Sequence, residues 1–312
     1  MYIRANAKIN LTLDILNKRE DGYHNIDTVM QSVSLFDEVF IEKSDRISFS
    51  ADLKELCSED NTAFIAAKHF FEFTKIKGGA EIQIKKHIPL RAGLGGPSAD
   101  AAAVIIGLDR LYETNLSKEA LINIGLKVGA DVPFCLFGGT ARARGIGEKL
   151  EKISPLKNFY TLILRDGEKK STAEMYKKAD SEALKRNGTE AFLNALYNNF
   201  ENPFKFLKND FDFDGLHNKT FELLKEFGAL GSGLSGSGPF VFGIFSSYTP
   251  PFAGSAPAAK PRPRRLAGEP PGPGALGSKR SRRPWALCAG SRCRRFRRKP
   301  PPGTRRERPH HS

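Results

Sequence analysis

The sequence is short of nearly everything that would tie it to a membrane, an oxidising compartment or a structural metal. It has four cysteines in 312 residues, too scattered for a disulfide framework. Cys57 and Cys135 stand alone, which predicts a reducing compartment without structural disulfides. Cys288 and Cys293 are separated by a four-residue gap without a second pair or a histidine cluster at metal-site spacing, and His310 and His311 come too late to change this. No metal ligand is assigned. No apolar run approaches the length needed to cross a bilayer, and the N-terminus lacks the basic-then-apolar order of a secretory signal. The expectation is a soluble, cytoplasmic body with no membrane partner.

Acidic residues are scarce only at one end. The formal charge is +14, but of the 49 Lys and Arg and the 35 Asp and Glu, 17 and 2 lie beyond position 246, so positions 1–246 carry 32 and 33, a net of −1. The same segment holds 13 of the 19 prolines and the only tryptophan. Basic residues are mostly lysine before this point and almost all arginine after it. Such Pro/Arg-rich sequence buries too little apolar surface to offset its ordering entropy, which predicts a disordered tail over 247–312. An abrupt change of this kind is also what a frameshift or a chimeric reading frame produces. A basic arm for RNA or an anionic surface is the competing reading.

Two phosphate signatures are also missing. The stretch from Pro89 to Ala103 (PLRAGLGGPSADAAA) has no Lys-Ser or Lys-Thr pair after its glycines and lacks the spaced glycines of a dinucleotide fingerprint. What is present is a glycine loop opening into an alanine-rich helix. Glycines let consecutive N–H groups converge on an anion, and the helix N-terminus adds partial positive charge. Pro97 suits a first helical turn, with Gly96 as the N-cap. The alternative is a helix that simply starts after a flexible turn.

Other candidates have equally plain alternatives. Ile9, Leu11, Leu13 and Ile15 alternate with polar residues, predicting a half-buried strand with Lys8 and Asn10 on one face. Tyr23 and His24 follow an Asp-Gly turn, either as a surface aromatic or as a platform for a base. Asn61 precedes a helix over 63–73, and a strand over 80–88 leads into the glycine loop. A second helix spans 116–128. Asp131, before Val132-Pro133, reads as an N-cap or as a proton acceptor among apolar neighbours. Ser171 or Thr172 reads as the cap of a later helix. The run from Gly231 to Pro239 (GSGLSGSGP) reads as a site-facing loop before the strand 240–245.

Three of these motifs in this order resemble the GHMP kinase superfamily and, within it, the 4-diphosphocytidyl-2-C-methyl-D-erythritol kinases of the non-mevalonate (MEP) isoprenoid pathway. They are AKINL at 7–11 with KREDGYH at 18–24, the loop from Pro89, and LSGSGP at 234–239. The resemblance covers about residues 1–246. It implies an α+β, two-domain GHMP kinase fold, with a ribosomal protein S5 domain 2-like N-terminal domain (1–152) and a ferredoxin-like C-terminal domain (153–246). It further implies an ATP-dependent kinase, with Mg²⁺, acting on the 2-hydroxyl of a cytidyl diphosphate ester. Asp131 would take the hydroxyl proton and Lys8 would orient that hydroxyl, with Asn10 nearby. Tyr23 and Tyr176 would flank the cytosine, His24 would read its edge, and Thr172 would lie close. ATP would rest on Gly93, Gly95, Gly96 and Ser98, with Asn61 at the adenine.

Two departures stand out. The family's usual Gly-Gly-Gly-Ser-Ser is Gly95-Gly96-Pro97-Ser98-Ala99 here, and no helix and final strand are recognisable after Phe245. The C-terminal domain is therefore expected to be incomplete, with an exposed sheet edge and apolar face, and the chain to be poorly soluble or inactive. The alternatives are another GHMP kinase acting on a homoserine or mevalonate type of substrate, or a nucleic-acid-binding protein acting non-specifically through its tail.

Overall fold

The structure, a computed structural model, describes residues 1–246 except 157, 169, 183–185 and 213–214, together with the backbone of 286–290. In chain order it runs β1 (Tyr2–Lys18), β2 (His24–Ser44), β3 (Ser48–Ala51), α1 (Thr62–Thr74), β4 (Gly79–Lys85), α2 (Gly96–Leu111), α3 (Lys118–Leu126), α4 (Val132–Phe137), β5 (Thr140–Gly145) and β6 (Lys149–Lys152). The second half follows with β7 (Tyr160–Arg165), α5 (Thr172–Ala179), α6 (Gly188–Tyr197), β8 (Lys208–Asn209), α7 (Asn218–Glu226), β9 (Gly231–Leu234), β10 (Phe240–Phe245) and β11 (Ala286–Gly290). Among the described residues no helix is long and apolar enough to cross a membrane.

The long antiparallel pair β1–β2 forms the spine of the first sheet, ordered β3-β4-β2-β1-β8, with β5 on the first half of β2 and β6 beyond it. α2 lies across this spine and gathers α1, α3 and α4 around itself. Its alanines make close approach possible: Ala99, Ala101, Ala102, Ala103, Val104 and Ile105 are all buried. Burial runs around much of the helix because α1 and α4 cover sides that the sheet leaves open.

The second sheet has the order β11-β7-β10-β9, each neighbour antiparallel. In chain order this is 4-1-3-2, the ferredoxin-like arrangement. One strand of this sheet, β11, comes from the segment after residue 246 that was expected as a tail. Ala286–Gly290 pairs with β7 from Ala286–Leu164 to Gly290–Tyr160, so β7 is not an open edge along that stretch. The expected helix is still absent among the described residues, and the C-terminal domain is incomplete in that sense. The other expectations for 247–312, including the RNA-binding arm, fall outside the described residues.

Three smaller corrections concern boundaries and burial. The N-cap of α2 is Gly95, in the left-handed region at φ 70°, and Pro97 stands one position inside the helix start at Gly96. The helix expected over 116–128 is shorter, with Ser117 accepting from the Ala120 N–H at its start. β1 is not half-buried: Ala7 through Ile15 are buried on both faces, including Lys8, Asn10, Thr12 and Asp14. Its polar face is sealed by the second half of the chain. Asp14 accepts from the N–H groups of Gly188 (2.9 Å) and Thr189 (2.8 Å) at the start of α6, and the Thr12 and Thr189 hydroxyls meet at 2.9 Å. Asp14→Ala would leave two buried N–H groups without partners, and an expected loss of about 2–4 kcal/mol follows. Urea denaturation measures it.

Candidate active site

The glycine loop leaves the sheet after β4, passes over β1 at Lys8 and enters α2. The Lys8 N–H donates to the Leu94 carbonyl at 2.9 Å, pinning the loop to β1. Gly93 and Gly95 both have positive φ, 74° and 70°. The first-turn N–H groups of a helix have no intrahelical partner, which leaves those at the start of α2 available to an anion. Pro97 costs nothing there, and its carbonyl accepts from the Thr62 hydroxyl (2.8 Å), tying the start of α1 to the start of α2. Ala99, where the family has a second serine, is buried. Ser98 lines the cavity.

The second glycine-serine run forms β9 and the turn into β10, and it packs directly on the first loop. The Ser235 hydroxyl donates to the Gly93 carbonyl at 3.0 Å. Ser237 meets Thr172 hydroxyl to hydroxyl at 3.1 Å, linking the turn to α5.

Between these loops and β2 lies a cavity of about 1170 Å³. At its centre Lys8 Nζ donates to Asn10 Oδ1 (2.7 Å) and stands 3.3 Å from Asp131 Oδ2. Asn10 in turn donates to the Thr28 hydroxyl at 2.9 Å. A break in the β1–β2 register between Asn10 and Thr12 marks a bulge at this point, of the kind that re-aims side chains beside a site. Asp131 occupies the N-cap position of α4, yet its side chain makes no capping hydrogen bond. Its carboxylate faces the ammonium instead, with the lysine side chain 6% exposed and the aspartate 38%.

The far end of the cavity is aromatic. His24 stacks on Tyr176 with ring centroids 4.6 Å apart and planes at 13°, and Tyr176 meets Phe211 edge-on at 4.9 Å. Tyr23 stands exposed at the rim. Burial raises the Tyr176 hydroxyl to about 12, with the Asp131 carboxylate adding to the rise. Thr172 is the first residue of α5, free of the capping duty that Ser171 performs in a capping box with Glu174.

The structure thus brings Lys8, Asn10 and Asp131 together with Tyr23, His24, Thr172 and Tyr176, and adds Gly93, Gly95 and Ser98 from the loop. Two expected residues sit apart from the lining. Gly96 faces Ile88 and Lys86 behind the loop. Asn61 caps α1, accepting from the Ala63 N–H (2.9 Å) and donating to the Leu56 carbonyl (3.1 Å).

Sequence reasoning missed several residues. Asp180 accepts from His24 Nε2 at 2.6 Å and pairs with Lys18 at 3.3 Å; its spacing of four residues from Tyr176 on α5 was the available signal. The His24 hydrogen bond, helped by Lys18, holds the Asp180 carboxyl below its usual range. Behind the loop, Lys86 pairs with Asp37 and, at 2.5 Å, with Asp100 of α2. Burial pushes the Asp100 carboxyl up to about 7 against the pull of Lys86. No local pattern announces that trio, whose members come from three separate elements.

A glycine loop at a helix N-terminus and a buried lysine paired with a half-exposed aspartate share one cleft, an arrangement that suits a small-molecule phosphotransferase. Comparison with known proteins agrees. Residues 61–139 match the GHMP kinases N terminal domain and residues 182–256 the GHMP kinases C terminal. A 4-diphosphocytidyl-2-C-methyl-D-erythritol kinase of Caldicellulosiruptor saccharolyticus is 42% identical over 257 residues, covering 79% of this chain and 89% of its own. One from Carboxydothermus hydrogenoformans is 44% identical over 258 residues, with 78% and 88% covered. A crystal structure of 4-(cytidine 5'-diphospho)-2C-methyl-D-erythritol kinase superposes with a TM-score of 0.62 at 31% identity, covering 78% and 90%. The homoserine kinase of Cytophaga hutchinsonii shares the fold, with a TM-score of 0.60 at 20% identity over 80% and 87%. The chain belongs to the GHMP kinases and, within them, to the 4-diphosphocytidyl-2-C-methyl-D-erythritol kinase family.

Proposed function

We propose that the cleft transfers the γ-phosphoryl group of ATP to the 2-hydroxyl of 4-diphosphocytidyl-2-C-methyl-D-erythritol, a step in isoprenoid precursor synthesis. The observation that carries this reading is the order of parts along one cavity: phosphate loop, Lys8–Asp131 pair, aromatic platform. A kinase for a smaller alcohol has no use for the last of these.

In this reading the loop amides hold the nucleotide's phosphates, while Tyr23 and Tyr176 flank the cytosine and His24 reads its edge. Asn61 keeps one N–H and one lone pair beyond its two cap bonds, enough for one contact pair with adenine. Lys8 balances the charge of the Asp131 carboxylate, 3.3 Å away, and orients the hydroxyl. The hydroxyl oxygen bonds to the γ-phosphorus, the bond to the β–γ bridging oxygen breaks, ADP leaves and the hydroxyl proton passes to Asp131 Oδ. Such transfer has a loose transition state, so alignment and charge stabilisation supply most of the catalysis.

Among the described residues no group of three or more His, Cys, Asp or Glu side chains converges as a protein-built metal cage. The Ser98 hydroxyl is an oxygen donor on the cavity wall, which fits Mg²⁺ arriving on the triphosphate with most of its waters. Ser98 would hold the ion, which would shield the phosphate charge. The proposed division of labour assigns the loop, Lys8 and Asp131 to a unit of residues 1–152, and Thr172 and Tyr176 to a unit of residues 153–246.

A substrate panel tests the reading. With ATP and Mg²⁺, phosphorus NMR is expected to show a new phosphomonoester from the cytidyl compound and none from homoserine or mevalonate. Turnover of either of the latter at a comparable rate would favour another kinase activity.

A further inference from the structure

The imidazole of His24 is held on several sides at once. Its Nε2 lies 2.6 Å from Asp180 Oδ1, one ring face stacks on Tyr176, and the side chain is only 5% exposed while still lining the cavity. Tyr176 lies on α5 and Asp180 is the C-cap residue that ends it, so one short helix and its cap supply both the stacked ring and the carboxylate on the imidazole edge. Lys18, on the neighbouring strand β1, neutralises the other carboxylate oxygen at 3.3 Å.

This geometry decides where the ring hydrogen sits. An ionised carboxylate only accepts, so Nε2 must carry the hydrogen. Asp180 is ionised, since its hydrogen bond from His24 and the nearby Lys18 lower its pKa. The one ring nitrogen left is Nδ1, which has no partner among the described residues and is not among the buried unpaired side-chain atoms, so it stays open to the cavity. In a neutral imidazole whose hydrogen is on Nε2, Nδ1 is an acceptor.

We propose that Asp180 is a positioning residue that sets base specificity: by keeping the hydrogen on His24 Nε2, it presents Nδ1 as an acceptor for the exocyclic amine of cytosine. Uracil carries a carbonyl oxygen at that position, and two acceptors facing each other repel. The inference rests on the reading that the base lies against the Tyr23–Tyr176 platform beside His24. A purely structural Asp180 would anchor the end of α5 and have no effect on the choice of base.

The test compares the full chain with Asp180→Asn on the cytidyl substrate and its uridyl analogue, alongside nitrogen-15 NMR of the His24 ring in the unliganded protein. The natural side chain is expected to favour the cytidyl compound by at least about a hundredfold in kcat/KM, as sites built around a hydrogen bond do. An asparagine amide can donate to Nε2 and move the hydrogen to Nδ1. The preference is then expected to fall at least about tenfold, with the loss in KM for the cytidyl compound and not in KM for ATP. The NMR spectrum should report the tautomer change whether or not the variant turns over. Asp180 is at the exposed end of its helix, so the variant is expected to fold. An unchanged base preference despite a changed tautomer would overturn the role of Asp180 alone, as would an unchanged tautomer. If the unsubstituted chain fails to use the cytidyl compound at all, the parent reading falls and this one with it.

Discussion

Asp131→Asn is expected to lower kcat by about three orders of magnitude, within the range that loss of a general base and its charge produces, while both KM values stay within about threefold. Three observations set this size. The carboxylate is not used as a helix cap, although it occupies the capping position. It faces Lys8 at 3.3 Å, and that lysine is almost fully enclosed. It also lines the cavity between the phosphate loop and the aromatic platform. Asparagine keeps the shape and loses only the charge and the ability to take a proton, so the effect should fall on the chemical step. A coupled assay of ADP release at saturating substrates measures it, and thermal unfolding checks that the fold is intact. Equal rates for the two proteins would reduce Asp131 to an electrostatic anchor for Lys8.

Gly93→Ala is expected to raise KM for ATP at least about tenfold and to cost about 2–4 kcal/mol of stability, from overpacking together with a left-handed backbone. A Cβ at this position would stand 2.3 Å from the Ser235 carbonyl oxygen and 3.3 Å from that of Gly238, with φ at +74°. Neither contact can relax by turning a side chain, since both belong to backbone. The two glycine-rich loops would be forced apart, carrying the amides of the phosphate cradle with them. Gly22→Ala supplies the comparison for stability: φ there is +85° but nothing lies within 4 Å of the added carbon. It should cost only the conformational part, about 1–2 kcal/mol. A similar stability loss at both positions would mean that the loop contact is not tight.

How much of this was legible beforehand depends on the range of each interaction. The glycine loop, the helix behind it and the strand before it follow from local composition and period, and Lys8 with Asn10 follows from the two-residue repeat of a strand. Distant partners could not be read this way. His24 and Asp180 are 156 positions apart, and Ser235 is 142 from Gly93. The same limit explains the error over β1. Alternation correctly assigned its polar face, but only the docked second half shows that this face is buried, with Asp14 at the start of α6. For Asp131, position alone could not separate cap from acceptor. The side chain makes no capping hydrogen bond and turns toward Lys8, a direction that no sequence pattern encodes. Composition does not single out the five residues after position 246, Ala286–Gly290, that take the outer place in the second sheet.

In the proposed reaction Lys8 and Asp131 meet the acceptor hydroxyl between a phosphate loop and a cytosine platform. The most direct measurement is a crystal structure of the full chain with the cytidyl substrate and a non-hydrolysable ATP analogue. The 2-hydroxyl oxygen is expected within about 3.2 Å of Asp131 Oδ and in line with the γ-phosphorus, with the triphosphate on the loop amides. A ternary complex with the hydroxyl beyond reach of Asp131, or with the triphosphate away from Gly93 to Ser98, would contradict it.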